Sequence, residues 1–69
     1  MSQETHDYRS MQDALSYVTR VPNVELVSNS GGRLTYSAKE VSGYDFVFVL
    51  SLLPGGRARM MITKTKCAC

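Results

Sequence analysis

The chain has 69 residues, 43% of them hydrophobic and 20% charged, with a formal net charge of +2, which describes one small domain with room for a single modest core. The longest uninterrupted apolar run, Phe46 to Leu50, is far short of the roughly 18 residues that a membrane-spanning helix needs. The first residues are polar and partly acidic, without the basic start and apolar middle of a secretory signal, so a cytoplasmic chain with no membrane partner is expected.

Residues 1–7 and 67–69 read as loose ends of the single domain 1–69. The spacing of Met11, Ala14, Leu15 and Val18 then lines one face of a helix, and Tyr8 extends the stripe backwards. Ser10, with Asp13 three positions on, is a candidate N-cap, while Pro22 disfavours helical geometry at Val21, so the helix is expected over residues 10–20.

Beyond Pro22 the period changes to two. Val24 and Leu26 begin a first strand, and Asn29-Ser30-Gly31-Gly32 supplies a hairpin connection. Leu34, Tyr36 and Ala38 then alternate with Arg33, Thr35, Ser37 and Lys39, the pattern of a half-buried strand. Ser42-Gly43 turns the chain into Tyr44 to Leu52, whose apolar residues fall on both faces, as in a central strand. Leu53-Pro54-Gly55-Gly56-Arg57 marks another hairpin. The last strand puts Ala58, Met60 and Ile62 on one face and Arg57, Arg59, Met61 and Thr63 on the other. The expected fold is therefore α+β, with two layers: one N-terminal helix packed on a four-stranded antiparallel β-meander. Its helix-facing core would hold Val24, Leu26, Leu34, Tyr36, Phe46, Phe48, Leu50, Met60 and Ile62.

Two features bear on function. Charge is segregated: residues 1–45 hold six acids and four bases, whereas residues 46–69 hold Arg57, Arg59, Lys64 and Lys66 and no acid. Those four form a basic stripe that could steer an acidic partner or a phosphate backbone, or simply protect a sheet edge. In addition, Val47 and Val49 cannot share the helix-covered side with Phe46 and Phe48. With Val27 and Met61 they would form an apolar centre flanked by Arg33, Arg57 and Arg59, the makeup of many protein interfaces. A homodimer is the simplest way to cover such a patch.

Chemical motifs are sparse. His6 has no second histidine to pair with, and a Cys69-His6-Asp7 constellation would join opposite ends of the chain. Zinc needs about four ligands, whereas Cys67, Cys69 and His6 supply three. A disulfide between Cys67 and Cys69 would close a tiny ring and could staple nothing distant. The pairs Gly31-Gly32 and Gly55-Gly56 lack the helix and lysine of a phosphate-binding loop. No catalytic residue, metal or cofactor is therefore expected.

The ending Cys67-Ala68-Cys69, after Lys64 and Lys66, resembles the Cys-X-Cys terminus that is lipidated in Rab-type GTPases, over three residues and without a GTP-binding loop. In size and layout the chain is similar to the small proteins with which phages and mobile elements block host enzymes, anti-CRISPR proteins among them. That analogy implies a non-enzymatic inhibitor or adaptor that occupies a surface of a larger protein or complex. The alternative is a basic sheet that binds nucleic acid, with Arg57, Arg59, Lys64 and Lys66 on phosphates and Tyr36 or Tyr44 stacking on bases.

Overall fold

The structure, a computed structural model, describes residues 2–67. In chain order it comprises β1 (Ser2–Tyr8), α1 (Met11–Val18), β2 (Val24–Ser30), β3 (Arg33–Val41), β4 (Tyr44–Leu52), a short 3-10 turn (Pro54–Gly56) and β5 (Ala58–Lys66). All five strands join one antiparallel sheet in the order β1-β5-β4-β3-β2. The expected four-stranded meander is therefore corrected to five strands and one short helix. The additional strand comes from the N-terminal segment, which was expected to be loose: Ser2 pairs with Lys64 and Tyr8 with Ala58, so β1 lies along β5 over all but its last two residues.

The helix begins where its cap chemistry places it. The Ser10 hydroxyl accepts the Asp13 amide at 3.2 Å, satisfying one of the amide groups left over at a helix start. It ends at Val18, two residues earlier than expected. There the Thr19 amide and hydroxyl both donate to the Leu15 carbonyl, at 2.9 and 2.8 Å. The Arg20 and Val21 amides then close tighter turns on the Tyr17 and Val18 carbonyls. Asn23, at a φ of 60°, swings the chain into β2.

Two hairpins follow from positive backbone angles. Ser30 pairs with Arg33 across Gly31 and Gly32, whose φ values of 57° and 79° give the mirror-image turn that matches strand twist. Ser42 and Gly43 repeat the arrangement between Val41 and Tyr44. Just before that turn the register shifts between Ala38 and Val41, and the Glu40 amide at the irregularity donates to Asp45 Oδ1 at 3.0 Å.

Ala14 and Val18 on the helix meet Ala38, Phe48, Leu50, Ala58, Met60 and Ile62 in the core, where Leu50 and Met60 are fully buried. Phe46 stacks on Phe48 with ring centroids 6.0 Å apart. The expected core needs one correction: Leu26 is 52% exposed. The short helix packs on β4, β5 and β1, so the β2 edge receives little cover. Val24, Leu34 and Tyr36 are only partly buried for the same reason.

Candidate functional site

Sheet geometry decides which side chains can act together. Residues two apart on a strand share a face, and residues opposite each other on paired strands form rows across it. Because Phe48, Leu50, Met60 and Ile62 face the helix, Val47, Val49 and Met61 lie on the other face, over which no described element packs.

Three rows run from β3 to β1 across this outer face, and a shorter one, Asp45 and Thr65, joins β4 and β5. The middle row is Thr35, Val49, Met61 and Thr5. On one side of it lie Ser37, Val47, Thr63 and Gln3, and on the other Arg33, Ser51, Arg59 and Asp7. Val47 is 39% and Met61 38% exposed, with Val49 half-buried between flanking side chains. The result is a small apolar centre framed by hydroxyl groups, with an arginine-bearing row at one end. Val27 sits at the irregularity between Leu26 and Ser28, outside the paired rows.

Five of the six residues singled out for partner binding, Val47, Val49, Met61, Arg59 and Arg33, are thus on one face. The sixth, Arg57, lies in the loop between the 3-10 turn and β5 and is exposed.

The basic stripe is divided rather than continuous. Lys64 is opposite Phe46, and Lys66 opposite Tyr44, so both belong to the helix side of the sheet, away from Arg59. The Lys64 ammonium lies over the Tyr44 ring, 4.1 Å from its centroid. On the outer face Arg59 is paired: its Nε donates to Asp7 Oδ1 at 2.9 Å. That hydrogen bond, with the attraction of the same guanidinium, holds the Asp7 carboxyl below the usual carboxylate range and raises Arg59 further.

His6 and Asp7 are neighbours in β1 and point to opposite faces. His6 Nε2 lies 3.3 Å from Glu4 Oε2 on the helix side, while Asp7 holds Arg59 on the outer side. The Cys69-His6-Asp7 constellation therefore loses the contact between its His and Asp. Cys69 itself lies outside the described residues. Cys67 is disulfide-bonded, and its amide donates to the Gly43 carbonyl at 2.9 Å. Among the described residues, no three His, Cys, Asp or Glu side chains gather as metal ligands, and no helix is long and apolar enough to cross a membrane.

The residues of this face that sequence reasoning left off the sheet come from β1: Gln3, Thr5 and above all Asp7, which completes the arginine row. Their segment has no apolar alternation, so nothing local marks it as a strand. No family model, curated protein or solved structure matches the chain.

Proposed function

We propose that the chain is a non-enzymatic protein-binding module, an inhibitor or adaptor that acts by laying its outer sheet face on a larger protein. The observation that carries this is the uncovered face itself, with Val47, Val49 and Met61 at its centre, hydroxyl groups around them, and Arg33 and Arg59 in one end row. Apolar centres with polar, arginine-bearing rims are the ordinary anatomy of protein interfaces. Five strands at their usual spacing and rise span roughly 24 by 30 Å, or about 700 Å² in projection. A standard interface takes about 800 Å² from each partner. The face is thus close to the standard size, and the exposed Arg57 loop, next to the Arg59 row, is where additional contact is available. The division of the basic residues between two faces weighs against a phosphate backbone as the main ligand, since such binding needs charges that follow one track.

The test compares Val47→Glu with Leu26→Glu, an exposed apolar position outside the outer face, both verified as folded by circular dichroism. Val47→Glu places an uncompensated charge at the interface centre. Tagged wild-type protein should recover a stoichiometric protein partner from its host, Val47→Glu should lose it, and Leu26→Glu should keep it. Equal recovery by both variants removes the outer face as the working surface, and nuclease-sensitive recovery replaces the protein partner with nucleic acid. A second copy of the chain on this face would appear as a dimer by sedimentation, abolished by Val47→Glu.

A further inference from the structure

On the opposite side of the sheet, past the end of α1, an open groove of about 530 Å³ is floored by Val21, Val41, Phe46, Phe48 and Ile62 and edged by Tyr17, Arg20, Glu4 and Lys64. We propose that this groove binds a small amphipathic carboxylate, an aliphatic or aryl acid of about ten carbon atoms, which its volume accommodates. The inference is independent of the outer face and of whatever docks there.

The groove exists because the helix stops early. Ending at Val18 and turning away through Pro22 and Asn23, α1 leaves this end of its sheet face without a roof. Phe46 consequently remains only partly buried, although it stacks on the buried Phe48. Apolar surface of this kind gains free energy when an apolar body covers it.

Charge selects the sign of the ligand. Among the described residues neither Arg20 nor Lys64 makes an ion pair, and Lys64 rests instead over the Tyr44 ring. The one acid of the rim, Glu4, lies 3.3 Å from His6 Nε2 and is exposed, so the rim sets two cations against one carboxylate. The outer face differs, because there Arg59 already holds Asp7. The groove therefore has a net positive rim, with Arg20 and Lys64 both outside any ion pair, beside an apolar floor, which suits a molecule with an apolar body and one carboxylate. The negative pole of a helix C-terminus would oppose an anion, but the Leu15, Tyr17 and Val18 carbonyls already accept donors from Thr19, Arg20 and Val21.

Decanoate is the probe, and decyltrimethylammonium, with the same chain and opposite charge, is the control. Amide shifts are followed by two-dimensional NMR on the 15N-labelled protein. Decanoate should saturate with a Kd below ~1 mM and shift Val41, Phe46 and Lys64, while leaving Val49 and Met61 in place. Replacing both cations, in Arg20→Gln/Lys64→Gln, should weaken it about tenfold, as expected for two solvent-exposed charge contacts. The variant's spectrum without ligand shows whether the fold is kept. The proposal is overturned if decyltrimethylammonium binds wild type as tightly as decanoate, if the shifts fall on the outer face, if no saturation occurs below ~1 mM, or if the folded double variant binds like wild type.

Discussion

Phe48→Ala and Val47→Ala change adjacent residues, and the sheet geometry predicts that they part company. Phe48 is 2% exposed and packed between the helix layer and Phe46. Truncating such a ring costs about 3–5 kcal/mol, the lost transfer free energy plus the cavity left behind. A domain of this length has roughly 3–10 kcal/mol of total stability, so the substitution removes a large fraction of it or all of it. Val47, on the other face and 39% exposed, loses about 0.5–1 kcal/mol through partial burial and strand preference. Urea denaturation followed by far-ultraviolet circular dichroism reads both effects. With a slope near 1 kcal/mol per molar urea for a small protein, Phe48→Ala should move the midpoint down by about 3 M or leave no folded baseline, and Val47→Ala by less than about 1 M. Equal shifts, or a larger loss for Val47→Ala, would refute the assignment of faces and with it the outer surface proposed to dock a partner.

Deleting residues 2–8 should abolish cooperative unfolding or lower the urea midpoint by more than ~1 M, because β1 pairs with β5 from Ala58 to Lys64; a truncated chain with an unchanged midpoint would show that the strand adds nothing. Acid sensitivity has a defined source in Asp7, whose carboxyl the Arg59 hydrogen bond holds below its ordinary value. A group lowered in the folded state stabilises above its unfolded-state value and loses that contribution as pH falls through the folded one. Part of the stability should thus disappear below about pH 4, and the loss should shrink in Asp7→Asn and in high salt; an acid profile identical in wild type and Asp7→Asn contradicts this. Burial, with a smaller contribution from Tyr17, raises the Tyr8 hydroxyl. The folded state there keeps its proton longer than the unfolded one, so stability should fall as pH rises past about 10, less so in Tyr8→Phe.

What could be read from the sequence was what depends on near neighbours. The Ser10 cap, the Met11-Ala14-Leu15-Val18 spacing and the paired positive angles at Gly31-Gly32 are all set within a few residues, and each element they mark is present. Separation of Val47 and Val49 from Phe48 follows from the two-residue period of a strand and needs no knowledge of distant partners. The fifth strand was illegible for the opposite reason. Ser2 to Asp7 offers polar residues that would suit a solvated tail equally well, and only the unpaired edge of β5 turns them into a strand. The divided basic stripe was within reach, since the alternation that separates Arg59 from Met60 also separates it from Lys64. Leu26 was misplaced because its burial depends on how far a helix that ends two residues earlier than expected extends over the sheet.

The pairing of β1 with β5 also sets an order of events during synthesis. Ser2 finds its partner in Lys64, made some sixty residues later, and Asp7 finds Arg59. Until the last strand has left the ribosome, β1 has no edge to join, while β2, β3 and β4 can pair as each emerges. The growing chain therefore carries β1 as an open polar strand, attached through a helix that still lacks the Met60 and Ile62 side of its core. Closing a loop that encompasses nearly the whole chain costs more entropy than any hairpin in it and belongs to the slow end of folding. The lack of apolar residues in Ser2 to Asp7 suits that interval, because a waiting strand without them is a poor template for aggregation.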